Sequence, residues 1–233
     1  MADSFRIRRI ILAGFIILGF CFLIVANTPN QNEVQPTQSS NTKLSIQNSA
    51  SDELAKLPIK GRAPKTGYAR EQFGADWTSA NGCNTRNIIL NRDMTDVTVD
   101  ESCNVTKGTL HDPYSGKIIE FTRGSDSSGA VQIDHVVALS DAWQKGAQQM
   151  TQSERIAMAN DPLELLAVDG PTNMQKGDGD AATWLPPNKS FRCHYVARQI
   201  AVKIRYKLWV TAAEHDAMSG VIDKCVGLVL PSP

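Results

Sequence analysis

The sequence predicts an α+β domain in which strands precede helices and disulfides stabilise the fold. Residues 117–122 and 131–137 are rich in β-branched residues and have the length of strands. Residues 191–209 place their apolar side chains on one arc of a helix, with Arg198 and Arg205 opposite. Four of the five cysteines lie in the same part of the chain, which therefore forms the folded domain.

The N-terminal residues predict export. Arg6, Arg8 and Arg9 precede an apolar run that ends at residue 26, which is the pattern of a signal peptide. A retained membrane anchor is the alternative for residues 1–26, because the run is only slightly shorter than the about 20 apolar residues that span a bilayer. In either case the domain is predicted to be secreted or associated with the cell envelope.

The composition changes after residue 26. Residues 27–58 are rich in Asn, Gln, Ser, Thr and Pro, and such a segment buries too little apolar surface to offset the entropy of ordering. We therefore predict a flexible polar linker over residues 27–58. Residues 59–233 remain for one folded domain with its own core.

The cysteines of this domain predict two disulfides, because their number is even and the chain is exported. Four cysteines allow three pairings. Proximity in sequence favours Cys83–Cys103 and Cys193–Cys225. A structural zinc site is disfavoured, since no pair has the short C-x-x-C spacing.

The charge of the whole chain gives no sign of a nucleic-acid partner, because the formal net charge is zero and the pI is about 6.9. Basic residues nevertheless concentrate between Lys176 and Lys207. Such a stretch can bind phosphate groups without raising the pI of the chain. The alternative is a solvated helix face.

The strand pairing is predicted from the segments between the strands. One or two strands are expected over residues 97–110, and residues 112–116 (DPYSG) predict a turn. The segment between 117–122 and 131–137 is rich in Gly and Ser, so we predict that these two strands form a hairpin. Residues 163–168 are predicted to be a short strand or a buried turn.

Helices are expected to follow the strands. The predicted N-cap residues are Ser and Thr ahead of periodic segments, namely Ser140, Thr151 or Ser153, Thr172 and Thr211. Glu214 lies three residues after Thr211 and predicts a capping box. Trp143, Trp184 and Trp209 are expected in the core.

Asp134 and His135 are the strongest local sign of chemistry. Aspartate binds hard divalent cations, and a histidine that is neutral near pH 7 can accept a proton from water. Adjacent strand residues point to opposite sides, so a bend or bulge is needed for both side chains to face one site. The alternative is an Asp-His pair without any special role, since this dipeptide is common.

Residues 173–180 form a second polar cluster. Asn173 is a candidate second metal ligand, and Lys176 is a cation that can neutralise an anion. The alternative is a solvated turn, and an EF-hand loop is disfavoured because no glutamate follows Asp180 at the required spacing. A hairpin, an Asp-His pair and a short helix with further ligands together predict a ββα-metal arrangement.

Several long segments carry a resemblance to a known family. They are GCNTRNIILNRD (82–93), DPYSGKII (112–119), QIDHVVALSDAWQKGA (132–147), NDPLELLAVDGPTNMQKGDGDAATWLPPNKSFRC (160–193) and VKIRYKLWV (202–210). With these segments the chain resembles the exported HNH endonuclease family proteins of actinobacteria, which are related to the C-terminal nuclease domain of GmrSD restriction enzymes.

The resemblance implies a ββα-metal core of the HNH (His-Me finger) type, wrapped by additional helices and strands. Asp134 corresponds to the first metal ligand, His135 to the general base and Asn173 to the ligand on the helix. Lys176 corresponds to the basic residue that follows this ligand. His111, His194 and His215 match no such position and are expected to be surface or packing residues.

Glu164 departs from the family pattern. Where members usually read DPLNLLAV, this chain has Glu164 in place of the asparagine, which is the residue implied to orient the histidine. A glutamate that accepts the imidazole N–H would raise the basicity of His135. The same contact could instead over-stabilise the imidazolium and leave less free base near neutral pH.

The resulting prediction is an exported endonuclease that hydrolyses phosphodiester bonds in DNA or RNA. It would use one divalent metal ion, Mg²⁺ in the first place and Mn²⁺ or Zn²⁺ as alternatives, with water activated by His135. The alternative is a non-catalytic cell-envelope protein that keeps the HNH fold and binds nucleic acid, and Glu164 favours it. A purely structural extracellular module is the third interpretation.

Nucleic-acid contacts are expected mainly along the backbone and are therefore sensitive to salt. The candidate phosphate-binding residues are Arg86, Arg92, Arg198 and Arg205. For Arg86 and Arg92 the alternative is a structural ion pair with Asp93 or Asp126. No protein partner is indicated, and a membrane contact is expected only through the N-terminal segment.

Overall fold

The computed structural model describes residues 49–231. The predicted signal peptide or anchor and residues 27–48 of the predicted linker lie outside the described residues. Between residues 49 and 231, no helix has both the length and the apolar character that crossing a membrane requires.

Helices and strands alternate along the described chain. The α-helices are α1 (Ala50–Leu54), α2 (Thr85–Asp93), α3 (Leu139–Gln144), α4 (Gln152–Ala159), α5 (Gly170–Lys176), α6 (Arg192–Arg205) and α7 (Ala212–Ile222). The strands are β1 (Ser79–Ala80), β2 (Cys83–Asn84), β3 (Met94–Val99), β4 (Val105–His111), β5 (Ile118–Thr122), β6 (Val131–His135) and β7 (Leu165–Asp169). This mixture agrees with the predicted combination of helices and strands.

The folded unit begins earlier than the sequence predicts. The side chain of Ser49 caps α1 in a capping box with Asp52, and Ala50, Leu54 and Leu57 are buried in the core. The prediction of a linker through residue 58 is therefore wrong from residue 49 onward. These apolar residues are three or four positions apart, so they form one buried face despite the polar composition around them.

The strands form three antiparallel sheets, with the orders β1-β2, β3-β4-β5 and β6-β7. The predicted hairpin of 117–122 with 131–137 is wrong, because β5 pairs with β4 and β6 pairs with β7. The burial of the strands explains the difference. β5 is mostly exposed, whereas β6 and β7 are buried on both faces, so the two interior strands pair with each other.

The ribbon of β6 and β7 lies between two apolar clusters. Val131, Ile133, Leu165 and Ala167 pack on one face with α2 and the three-stranded sheet. Leu166 and Val168 pack on the other face with side chains of α1, α6 and α7. α5 follows β7 directly, so a ribbon and then a short helix form the centre of the domain.

Helix ends confirm part of the predicted capping. Thr151 forms a capping box with Glu154, and Thr211 accepts from the backbone N–H of Glu214. Ser140 lies within α3 instead of capping it, and the cap of α5 is Asp169 rather than Thr172. The predicted box at Thr211 is incomplete, because the carboxylate of Glu214 binds Lys145 and Lys203 in the interior.

Both predicted disulfides are present. Cys83–Cys103 connects β2 to the turn between β3 and β4, and Cys193–Cys225 connects α6 to the residues that follow α7. Each bond thus links elements that are neighbours in the fold.

Candidate active site

Asp134 and His135 end β6 and point to opposite sides of it. The carboxylate of Asp134 contacts Tyr114 and Lys176, on the side of α5. The imidazole of His135 stacks on Trp77, with a centroid distance of 5.7 Å and an interplanar angle of 8°. The register of β6 with β7 is continuous through His135, so the expected bend or bulge is absent from this ribbon. The prediction that both side chains face one site is therefore wrong for this arrangement.

Asp134 is enclosed by protein donors. Its Oδ1 accepts from Lys176 Nζ at 2.8 Å and its Oδ2 from the Tyr114 hydroxyl at 2.5 Å. The side chain of Lys176 is fully buried, and its Nζ also donates to the carbonyl of His135 at 2.7 Å. Burial, and then the charge of Asp134, raise the pKa of Tyr114 well above its usual value. Lys176 thus serves Asp134 and β6, instead of presenting a charge at the surface for a phosphate.

Asn173 and Glu164 also have partners that differ from those expected. Asn173 Nδ2 donates to Gln132 Oε1 at 2.9 Å. Glu164 is completely buried, and its Oε2 accepts from the backbone N–H of Val137 at 3.2 Å. Burial raises the pKa of Glu164 well above its usual value. The carboxyl group therefore does not orient His135, because it turns to the chain that follows the histidine.

The imidazole of His135 is oriented by a main-chain carbonyl. Its Nε2 lies 3.0 Å from the carbonyl oxygen of Ala159. A carbonyl can only accept, so Nε2 carries the proton and Nδ1 of the neutral ring keeps a lone pair. Burial, followed by the charge of Arg70, lowers the pKa of His135 to about 3. The ring is therefore a neutral acceptor throughout the physiological range.

His135 lies at a cavity of about 220 Å³. The polar residues of its lining are Arg70, Asp76, Asn160 and His135 itself. Most of the outer wall is the segment 70–77, which the sequence did not single out. No short motif marks this segment, and only the tertiary contact of Trp77 with His135 identifies it.

The outer wall is held firmly by the rest of the domain. Phe73 is buried and packs edge-on against Trp143. Arg155 donates to the carbonyl of Gln72 at 3.0 Å and to its side chain at 2.8 Å. The backbone N–H of Thr78 donates to the Asn160 side chain at 3.0 Å. These contacts fix the position of the wall relative to His135.

A larger cavity of about 540 Å³ lies elsewhere and does not include His135. Its lining is mainly apolar and includes His111, His194 and Arg198. Size alone would favour it as a ligand site. We assign the candidate site to the smaller cavity, because His135 is buried there beside several polar groups, whereas His111 and His194 of the larger cavity are exposed.

The four arginines predicted to contact phosphate are all bound to protein acceptors. Arg86 donates to the carbonyls of residues 128 and 131, and Arg198 to those of residues 162 and 163. Arg92 pairs with Asp93, as the alternative prediction stated, and Arg205 pairs with Asp161. Arg86 has no bond to Asp126, contrary to the other alternative. In this arrangement all four hold the fold together.

A divalent cation does not fit the predicted ligands as they are arranged. Both oxygens of Asp134 already accept hydrogen bonds, one of them from an ammonium group. The amide nitrogen of Asn173 is bound to Gln132. Among residues 49–231, no three His, Cys, Asp or Glu side chains come together as a potential metal site. Asp134 would have to exchange its two partners before it could bind a cation.

The site thus consists of an antiparallel ribbon, a short helix after it and a buried histidine at the end of β6. Residues 84–221 match the family described as GmrSD restriction endonucleases, C-terminal domain. The match covers more than half of the chain, so the chain belongs to this family, which is of a nuclease type. The predicted resemblance to this domain is thereby confirmed.

The chain is also similar to an uncharacterized secreted protein of Arthroderma benhamiae. The two are 41% identical over 175 residues, which cover 74% of this chain and 82% of that protein. That protein is named as secreted, and the two disulfides of this chain fit an extracellular domain. Neither match shows the actinobacterial origin that the sequence resemblance implied.

Proposed function

We propose that this chain is an exported phosphodiester hydrolase that cleaves DNA or RNA, with His135 as the general base. The observation that carries the proposal is the state of His135. It is neutral, its Nε2–H is taken by the Ala159 carbonyl, and it lies at a polar cavity. Membership of a nuclease family supports phosphodiesters as the substrate class.

The chemistry follows from this geometry. Nδ1 of His135 accepts a proton from a water molecule, and the water oxygen forms a bond to phosphorus in line with the leaving oxygen. The bond between phosphorus and the leaving oxygen then breaks, that oxygen takes a proton from solvent, and the imidazolium formed at His135 returns its proton to solvent. The Ala159 carbonyl holds the tautomer in which Nδ1 is the base. Water attacks directly, so no covalent enzyme intermediate forms.

The proposal includes a requirement for one divalent metal ion, with Mg²⁺ preferred over Mn²⁺ or Zn²⁺. This requirement rests on the family resemblance. When bound, such an ion stabilises negative charge on a phosphate. Both carboxylate oxygens of Asp134 accept hydrogen bonds from Lys176 and Tyr114 and do not fit the ion as they are, so cleavage in Mg²⁺, Mn²⁺ or EDTA is measured to test the requirement.

A second candidate is a non-catalytic protein that binds nucleic acid. The contacts of Asp134 with Lys176 and Tyr114 favour it, because they occupy the carboxylate that was predicted to bind metal. The position of Glu164 away from the imidazole favours it as well.

The test is cleavage of plasmid DNA and of RNA by the purified, oxidised full chain in Mg²⁺, Mn²⁺ or EDTA. We expect cleavage with metal that His135→Ala reduces by at least about 100-fold, as for loss of a general base. His111→Ala is the matched control, since His111 is exposed and does not line the cavity. It should keep full activity.

The other outcomes separate the alternatives. Cleavage that survives His135→Ala would show that another residue is the base. A folded protein that cleaves neither substrate but retains them in EDTA would be the binding protein. One that neither cleaves nor binds nucleic acid would be a structural module.

A further inference from the structure

Arg70 differs from every other arginine of the described chain. Each of the others between residues 49 and 231 donates to a carboxylate, an amide or a carbonyl oxygen, and these are Arg62, Arg86, Arg92, Arg123, Arg155, Arg192, Arg198 and Arg205. Within the same residues, Arg70 has no hydrogen-bond or ion-pair partner. Arg70 is one of the residues that line the cavity of His135, and its charge acts on the imidazole. The one uncommitted guanidinium of the described part thus lies beside the candidate base.

We propose that Arg70 binds the phosphate group of a phosphodiester in the His135 cavity, and that Asp76 makes this site selective for the monoanionic diester over a dianionic terminal phosphate. This inference rests on the proposed function and names the residues that hold its substrate. A guanidinium presents paired N–H donors that match two oxygens of a phosphate.

The position of Arg70 is fixed although its side chain is exposed. It begins the 3-10 helix Arg70–Phe73. The buried ring of Phe73 and the two hydrogen bonds from Arg155 to Gln72 anchor that helix. The backbone that carries Arg70 is therefore held in place, so only its side chain is ordered when the guanidinium binds an anion.

Size and charge define the ligand. A volume of about 220 Å³ is below the roughly 300–1,000 Å³ of pockets that enclose whole small molecules, so it suits a phosphodiester group with its water. The lining residues with a formal charge are Arg70 and Asp76. Asp76 also has no hydrogen-bond or ion-pair partner among residues 49–231. A lining with one cation and one carboxylate accommodates a ligand with one negative charge better than a ligand with two negative charges.

The test uses the full chain and two small probes, diethyl phosphate as the monoanion and ethyl phosphate as the dianion at pH 8. Binding is followed by the NMR signal of the Trp77 indole N–H, which is assigned with Trp77→Phe. We expect diethyl phosphate to bind more tightly than ethyl phosphate. Arg70→Ala should weaken diethyl phosphate binding about tenfold or more, and Arg70→Lys should restore part of it.

Two further variants complete the test. Arg192→Ala removes the same charge outside the cavity, where Arg192 donates to the carbonyl of Pro186, and it should leave binding unchanged. Asp76→Asn should improve the binding of ethyl phosphate relative to diethyl phosphate. Because Arg70 has no protein partner, its variants should retain the melting temperature of the parent chain.

Failure of this inference is distinct from failure of the proposed function. No saturable binding of diethyl phosphate, or equal binding by Arg70→Ala, would overturn the inference. Cleavage that requires His135 but keeps its KM and kcat in Arg70→Ala would overturn it while the proposed function stands. Binding that depends on Arg70 in a chain without nuclease activity would support the anion site and refute the hydrolase.

Discussion

His135 shows how surroundings determine what a single side chain can do. Trp77 covers one face of the ring, and the Ala159 carbonyl accepts from Nε2. Such burial disfavours the charged form, and the nearby charge of Arg70 disfavours it further. Lys176 lies on the other side of β6 and acts in the same direction. The ring is therefore neutral at every physiological pH, and its low pKa makes it a weaker proton acceptor than a free imidazole.

The low pKa of His135 predicts a specific dependence of stability on pH. In the unfolded chain the pKa is about 6.5, and in the folded chain it is about 3. Between these values the unfolded state binds more protons, so stability is fully present above pH 6.5 and is lost as the pH falls toward 3. From pH 7 to pH 5 this histidine should lower the free energy of unfolding by about 2 kcal/mol.

The measurement is urea denaturation at pH 7 and pH 5 of the parent chain and of His135→Gln. The variant should lose about 2 kcal/mol less over this interval. His111→Gln is the control and should follow the parent, because His111 is exposed. Equal losses in the parent and in His135→Gln would contradict a buried neutral histidine.

Among the structural elements, those set by local patterns were predicted from the sequence and those set by distant contacts were not. The long helix α6, the cap at Thr151 and both disulfides follow from periodicity, side-chain chemistry and cysteine spacing. The partner of β6 does not, because alternation of apolar residues identifies a strand without identifying its neighbour. β7 is separated from β6 by the chain that contains α3 and α4.

The residues of the candidate site are also divided into those predicted from local sequence and those that only distant contacts bring together. His135 was identified from its own neighbourhood in sequence. Arg70, Asp76 and Trp77 reach its cavity only through tertiary packing, so their positions carried no local signal. Asp134 and Lys176 were identified correctly as polar residues of one region, but their pairing with each other was not foreseen. The charge of a side chain can be read from a sequence, whereas the residue with which that side chain pairs depends on the fold.

The junction of β7 with α5 depends on a glycine. A Cβ atom on Gly170 would lie 2.2 Å from the carbonyl oxygen of Gly129, which is a backbone atom that cannot turn aside. Gly170→Ala should therefore lower the free energy of unfolding by about 3 kcal/mol, as expected for overpacking. Because α5 carries Lys176, the same substitution should also disturb the contact with Asp134.

Gly220 provides the matched control for this substitution. It lies in α7, and a Cβ atom there would meet no atom within 4 Å. Gly220→Ala should raise the free energy of unfolding by about 0.5–1 kcal/mol, because alanine loses less backbone entropy in a helix. The two alanine variants are compared by thermal and urea denaturation. A Gly170→Ala variant as stable as the parent chain, or more stable, would show that the contact of residues 129 and 170 is not tight.

At the scale of the whole described domain, a largely buried ionic cluster connects elements that are far apart in sequence. It consists of the cations Arg62, Lys145 and Lys203 and the carboxylates Asp141, Asp180 and Glu214. Together they connect α3, α6 and α7 with the segment around Arg62 and with the loop that follows α5. Burial alone would lower the pKa of Lys203, but the charges of Glu214 and Asp141 raise it above its usual value. The cluster thus places three cationic side chains against three carboxylates, so it is balanced in formal charge.

Lys145 is central to this cluster and supplies its most direct test. Its fully buried Nζ lies 2.7 Å from Asp141, 2.8 Å from Asp180 and 2.6 Å from Glu214. Lys145→Met keeps much of the side-chain volume but leaves three carboxylates with too little positive charge, so unfolding should cost about 3–5 kcal/mol less. Lys56→Met removes an exposed pair with Glu53 and should change stability by less than about 1 kcal/mol. Urea denaturation at pH 7 compares both variants with the parent chain. If Lys145→Met were as stable as Lys56→Met, the cluster would not hold these elements together, and α6 and α7 would depend on their apolar contacts and on the Cys193–Cys225 bond alone.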